Sequence, residues 1–483
     1  MTKATWRIST LMALLVAFLP LEVGAADIYV PDDYPAIQGA IEAAQPGDTV
    51  IVRPGVYSEW IDFLGKAITV KSSHGPLLTT IQSPDPRVAR AVVRFETGES
   101  PDSVLDGFTI TGGLGELWYQ VVQGGGIFCL SSPTIINNVI RNNGIEHTPG
   151  GFYWPELGGG IFVFGDPVIR GNVVSDNVAE SGGGIMVESG APIIENNRIT
   201  GNQATTRGGG ARLHASWFDN AVLNNNVIMG NRAGTRGGGV YLYTRLAWPS
   251  MNNTIVENHA GSDGGGIWSG NVYVYNSIVR DNSAPSGPQF SSSSVRAHHC
   301  NVEGGWTNGP GNIDAPPGFV DVAAGDVHLR YDSPCRDAGT SSFGVVLPAR
   351  DFEGDPRVAG FAVDIGADEF HPHLYYRRGY LDNREIDVVV VASPGTPSVT
   401  LAGSLQVQDP PLTTPFGDLH LQPPFFLAAP LGPVPANGIL AITTTYPGSW
   451  VAGDRFYFQA LVGPAAPGSV LSNLMTLTVA PAP

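Results

Sequence analysis

The 483-residue sequence predicts an all-β chain: a solenoid of stacked parallel coils with a short N-terminal capping helix, followed by a small β-sandwich. Three observations predict it. Glycine (62) and proline (39) make up about a fifth of the chain, while 42% of residues are hydrophobic and 14% charged; this is turn-rich but too apolar for disorder. Gly-Gly-Gly recurs at 124–126, 158–160, 182–184, 208–210, 237–239 and 264–266, in steps of 34, 24, 26, 29 and 27 residues. Between the triplets, Asn-x-(Ile/Val)-x-x-Asn recurs with a fixed offset: Asn138 to Asn143, Asn172 to Asn177, Asn197 to Asn202, Asn226 to Asn231 and Asn253 to Asn258, with Ser277 to Asn282 as a sixth copy.

Residues 1–25 read as a secretory signal. Lys3 and Arg7 give the positive start, Ser9 to Leu21 is apolar but too short to span a bilayer, and Val23-Gly24-Ala25 offers small residues for cleavage. The mature chain is therefore expected outside the cytoplasm: extracellular, at the cell surface or in the periplasm. Formal net charge is −17, and losing Lys3, Arg7 and Glu22 would leave about −18. That balance argues against nucleic acid and against anionic membrane surfaces. An oxidising compartment permits one disulfide among Cys129, Cys300 and Cys335; Cys300 with Cys335 is the expected pair, with Cys129 a buried inert thiol.

Residues 26–370 form the predicted solenoid. Tyr34 to Ala44 reads as an amphipathic helix with Ile37, Ala40, Ile41 and Ala44 on one face. Each glycine triplet is followed by an alternating apolar run (IFCL, IFVF, IMVE, ARLH, VYLY, IWSG), then a turn and a second apolar pair. Three short strands per repeat cannot bury their own inner faces, so stacking in parallel about 4.8 Å apart is expected. Gly158, Gly159 and Gly160 are corner residues on this reading, and Asn172 and Asn177 belong to corner ladders of amides. A nucleotide loop is excluded, because a β-type run follows each triplet and no Lys-Ser/Thr pair is present.

These repeats resemble the right-handed parallel β-helix family, which includes pectin lyases, pectin esterases and many exported repeat proteins, over roughly residues 27–370. In that family a helix such as 34–44 plugs the open end of the stack, "GVYSE" and "GKAITVKSS" look like first coils, and "RDFEGDPRVAGFAVDIGADEF" resembles the last coil before a domain boundary. The family's catalytic phrases are missing: no esterase Asp-Phe-Ile-Phe-Gly or Leu-Gly-Arg-Pro-Trp, no epimerase Asp-Pro-His-Asp, and Asp32-Asp33 as the only Asp-Asp. Residues 374–483 lose the repeat; candidate strands at 386–392, 399–407, 439–446, 455–462 and 474–480 suggest an immunoglobulin-like β-sandwich acting in attachment, glycan binding or spacing.

Alternation locates a candidate site. In each run after a triplet the first residue points inward, so the second and fourth point outward. Stacked, these are Phe128/Leu130, Phe162/Phe164, Met186/Glu188, Arg212/His214, Tyr241/Tyr243 and Trp268. The result is an aromatic stripe with Glu188, Arg212 and His214 at its centre, suited to an extended sugar polymer. A uronate lyase would need a base and a cation, for which Arg212 and His214 are candidates, whereas a hydrolase would need a second carboxylate beside Glu188. The insertions "GGLGELWYQVVQ" and "GIEHTPGGFYWPEL" supply Trp118, Tyr119, Tyr153 and Trp154, which would either wall a groove or cover the stripe as a satellite core.

His298-His299-Cys300 is not expected to bind zinc, since neighbouring histidines on a strand face opposite ways. Asp351, Glu353, Asp355, Asp364 and Asp368 could hold calcium, but their spacing fits no standard loop and turn-forming roles are favoured. No cofactor or metal is expected. The sequence points to an exported, monomeric β-helix protein that binds polysaccharide or cell-surface glycan, or serves as a scaffold, without catalysis; a uronate polysaccharide lyase is the alternative.

Overall fold

A computed structural model describes residues 24–144, 156–214, 221–243, 248–342, 347–359 and 361–370, and strand segments between 373 and 478. Four strands make one coil. In mid-stack these are Val168–Arg170, Val173–Ser175, Val178–Ser181 and Ile185–Ser189. Each pairs in parallel with its counterpart one coil on: Val168 with Ile193, Val173 with Arg198, Val178 with Gln203 and Ile185 with Ala211. Repetition builds sheets of 11, 10, 7 and 8 strands. The sequence pattern predicted three strands per coil. The additional one follows the second asparagine, where segments such as Gln203–Arg207 are too polar to read as strand.

The lumen is filled by like residues stacked on like. Ile135, Ile169, Ile194 and Leu223 form one column, and Ile140, Val174, Ile199 and Ile228 another, all fully or nearly fully buried. The helix Ile37–Ala43 closes the N-terminal end with Ile37, Ala40 and Ile41 in the same core. Glu59 accepts the Ile37 and Gln38 N–H groups, and Lys66 Nζ donates to the carbonyls of Ile41, Glu42 and Ala44. Opposite charges thus sit at the two helix ends, as the helix dipole favours.

Two amide ladders run along the stack. Asn197 Nδ2 donates to Ile169 O (2.9 Å) and to Asn226 Oδ1 (3.1 Å), while its own Oδ1 accepts both the backbone N–H (2.9 Å) and Nδ2 (3.1 Å) of Asn172. Both amide hydrogens and both lone pairs are used, the full capacity of the group. The second ladder runs Asn143, Asn177, Asn202, Asn231, Asn258 and Asn282, and ends on Gln289 Oε1. The triplets occupy the next corner along the coil, packed against the second ladder. Gly158 has φ +71; a Cβ on Gly159 would lie 2.5 Å from Val178 O and 2.6 Å from Gly183 O; one on Gly160 would meet Gly184 O and the Asn177 amide. Only glycine permits both the left-handed turn and the close coil-to-coil approach.

The Asp-rich phrase 350–370 is not a last coil. It returns along the outside of the 10-stranded sheet as part of a strap. Val327, Leu329, Cys335, Ile365 and Ala367 pack on the outward Val227, Met229, Val256 and Ile278. Asparagines on four successive coils hold it: Asn196 to Asp351 O, Asn225 to Arg350 O, Asn252 to Asp364 O and Asn276 to Thr340 O. The buried Arg357 guanidinium binds Asn225 Oδ1, Ala367 O, Asp368 O and Glu369.

The expected Cys300–Cys335 disulfide is not formed: all three cysteines are free and buried. Cys300 belongs to the lumen core and Cys335 to the external cluster. Burial pushes the Cys129 and Cys300 thiols up to about 12 and Cys335 up to about 11, so all stay protonated. Beyond residue 372 the strands pair antiparallel, including Glu385–Val391 with Ile439–Thr445 and Val399–Ser404 with Arg455–Val462. Strands Val407–Thr414, Gly417–Leu421 and Phe425–Gly432 add to the sequence reading, which missed them because prolines interrupt two of the three. Among the described residues no helix is long and apolar enough to cross a membrane.

Asn202→Ala removes a rung and leaves buried partners unpaired on both neighbouring coils. It should lower unfolding free energy by about 3 kcal/mol in denaturant titration; a loss under about 1 kcal/mol would mean that the ladder relaxes around the gap. Gly159→Ala, set against fixed backbone, should prevent accumulation of folded protein, whereas Gly270→Ala, with open space around its Cβ position, should fold normally by circular dichroism.

Candidate functional site

The face following the glycine triplets carries three parallel rows. Its inner row runs, coil by coil, Phe128, Phe162, Met186, Arg212, Tyr241 and Trp268. The outer row runs Glu188, His214 and Tyr243; Phe164, one coil earlier, is offset by a bulge and pairs with Ser189. At the corner, the residue just before each later triplet forms a third row, in which Arg207 bridges to Arg236 and Arg236 to Asp263.

The N-terminal half of the inner row is closed. Phe128 and Phe162, expected on an exposed stripe, are fully buried, as is Met186. The cause is the first insertion, which folds into a hairpin of Glu116–Trp118 and Val121–Gln123. Its turn residues Tyr119 and Gln120 both have positive φ, the geometry of a tight two-residue hairpin. Trp118 then lies 6.1 Å from Phe128, 6.2 Å from Phe162 and 5.7 Å from Phe164, ring centre to ring centre. Tyr119 packs edge-on against the outer side of Trp118, 4.7 Å between ring centres, and is 82% exposed. Tyr153 and Trp154 of the second insertion lie outside the described residues.

Farther along, the stripe opens and becomes cationic. Tyr241 stacks on Trp268 at 4.3 Å with a 3° angle between planes. Three guanidinium groups cover this pair: Arg207 and Arg212 lie 5.5 and 5.9 Å from the Tyr241 ring, and Arg236 lies 5.5 Å from Trp268. Tyr241, expected at the surface, is therefore buried beneath them, 4% exposed. Trp268 is half-buried, and its indole N–H donates to Asp263 Oδ2 at 3.2 Å. Burial pulls the Arg212 pKa below its ordinary value, opposed by the nearby Glu188. Loss of hydration leaves a guanidinium more ready to take an anionic partner.

Phe164 and Tyr243 remain open, 43% and 44% exposed. Three coils separate them, roughly 15 Å at about 4.8 Å per coil. Between them His214 Nδ1 lies 3.5 Å from Glu188 Oε1, and the His214 ring lies 5.3 Å from that of Tyr243. The structure thus brings Glu188, Arg212 and His214 together, with Tyr241, Tyr243 and Trp268 beside them, and separates Phe128 and Phe162 from any ligand. Arg207 and Arg236 escaped sequence reasoning, although their shared position ahead of a triplet was a signal.

The remaining candidates fall elsewhere. His298 packs on Tyr275 and Tyr273, while His299 turns away in a left-handed conformation and Cys300 enters the lumen. Asp351 Oδ1 accepts the N–H groups of Glu353, Gly354 and Asp355, and Asp364 accepts those of Asp337 and Phe370. Those two carboxylates shape turns.

Residues 99–260 match the family model described as right handed beta helix region. The coil stack is thus a right-handed parallel β-helix. Two solved structures of phage tailspikes are similar to the chain. One is full-length tailspike protein 2 from Escherichia coli O157:H7 bacteriophage CAB120, at 11% identity over 91% of this chain, with a TM-score of 0.24. The chain spans 65% of that protein's length. The other is the enzymatically active domain of bacteriophage CBA120 tailspike protein 2, at 12% identity over 94% of this chain and 76% of that one, with a TM-score of 0.23. At these scores the likeness says nothing of function. No curated protein matches the chain.

Trp118→Ala should uncover the buried ring cluster and lower stability by about 2 kcal/mol in chemical denaturation. It should also raise binding of an apolar dye; unchanged dye binding would mean that Phe128 and Phe162 stay covered without the indole.

Proposed function

We propose that the protein is exported and binds an anionic polysaccharide, at the cell surface or outside the cell, along the face of Arg207, Arg212, Arg236, Tyr243 and Trp268. One observation carries the reading: three guanidinium groups gather over the stacked Tyr241–Trp268 pair on a chain of net charge −17. Long-range attraction would not bring an anion to such a chain, so a local cationic row is the feature that selects one. Guanidinium forks suit carboxylate or sulfate groups, and the open rings of Phe164 and Tyr243 offer apolar faces to sugar rings between those charges. The domain at 374–483 would serve as attachment or spacer.

A uronate lyase is the second reading, favoured by His214 standing beside Tyr243 and on the same strand as Arg212. His214 would take the proton α to the carboxylate, and Arg212 would neutralise the resulting enolate.

Affinity electrophoresis in gels containing polygalacturonate, alginate or a neutral glucan separates the outcomes. Retardation should occur in the anionic gels alone and weaken with salt. Arg207→Ala with Arg236→Ala should weaken it about tenfold, equivalent to about 1.4 kcal/mol, with unchanged circular dichroism. Equal retardation by the neutral glucan, or no effect of the double substitution, would remove the proposal. Absorbance of a new unsaturated uronate that disappears in His214→Ala would establish the lyase.

A further inference from the structure

We infer that His328, Glu353 and Asp368 form a binding site for one divalent first-row transition-metal ion of the Zn2+ type, built into the strap and separate from the cationic face. In the strand Asp326–Leu329, Val327 and Leu329 enter the apolar cluster beneath the strap. His328, between them, therefore faces the other way, against Phe352 at 5.7 Å. Its Nδ1 is 2.5 Å from Asp326 Oδ1, which fixes the ring and turns Nε2 toward Glu353 Oε2, 2.8 Å away. A carboxylate behind one imidazole nitrogen, with the other nitrogen aimed at further carboxylates, is the arrangement by which proteins orient a metal-binding histidine.

The other two donors are held independently. The Asp351 turn presents Glu353 through three backbone hydrogen bonds. Asp368 Oδ2 accepts the N–H of Leu329, the residue after the histidine. One donor atom from each of His328, Glu353 and Asp368 lies within 4.8 Å of the others, so side-chain shifts of under about an ångström would bring all three onto bonds of about 2.0–2.2 Å to a common ion. His328 and Asp368 are buried and Glu353 is exposed, so the site is walled on the protein side and reached from solvent past the glutamate.

Charge points the same way. Asp326, Glu353 and Asp368 surround one imidazole and Asp351 stands near Asp368; against them, Arg198 faces Asp326 and Glu353, and Arg357 bonds Asp368 O and acts on Asp351. Carboxylates thus outnumber cations. A nitrogen donor among them selects a borderline metal such as zinc over calcium, which takes oxygen ligands.

The test uses the full, untagged chain stripped with a chelator. Calorimetric titration with Zn2+ should give one equivalent per chain, Co2+ should bind with a visible absorption band, and Ca2+ should not compete. Glu353→Gln, at the exposed edge, should keep the circular dichroism spectrum and weaken Zn2+ binding at least tenfold; His328→Gln should abolish it if it folds. Asp326→Asn, which touches no ion, should weaken binding about 10- to 100-fold. No stoichiometric Zn2+ binding, or binding unchanged in Glu353→Gln, overturns the site and identifies the cluster as an ion-paired histidine bridging Asp326 and Glu353. Neither outcome bears on polysaccharide retention, which is read from the opposite set of charges.

Discussion

The coils from Asn138 to Asn282 depend on the asparagine amides at their corners. In a solenoid the chain must turn several times per coil, and each turn buries backbone groups that no strand can pair. An amide offers two donors and two acceptor lone pairs, and a mid-stack rung such as Asn197 uses all four, toward the coil before and the coil after. The register of one coil is therefore imposed on the next. A slip of one residue would orphan several buried polar groups at once. Glycine enforces the complementary condition at the next corner, where backbones approach too closely for any Cβ. Between these two fixed points, strand length and side-chain size are free to vary, and the insertions exploit that freedom.

The fixed points are also what made the fold legible in the sequence. Asn197 and Gly183 announce themselves by spacing, because their roles repeat in every coil. Roles that occur once were not legible. Phe128 and Phe162 point outward as their alternation requires, and their burial depends on a hairpin whose Tyr119–Gln120 turn carries no ordinary turn residues. Tyr241 is covered by Arg207, which belongs to a different strand, so no single-strand pattern could place the two together. The strap was misread as a coil for the same reason: Asn225 and Arg357 meet across 132 residues, and neither belongs to a period that the other shares.

Charge is distributed with equal economy. The chain is strongly acidic, yet Arg207, Arg212 and Arg236 converge on two rings, while carboxylates accumulate on the strap around His328 and Arg357. The stack makes this segregation simple: a residue type repeated at one position per coil becomes a row, and rows on different faces do not interfere.

The strap changes how the solenoid comes apart. A plain stack of repeats is coupled only between neighbours, so it can fray one coil at a time from either end. Asn196, Asn225, Asn252 and Asn276 sit on four successive coils and are all tied to one segment that lies later in the chain. Those coils can leave the stack only after the segment is released, and then together. The strap thus turns part of a one-dimensional array into a single cooperative block, with its latch in residues made after the coils it closes.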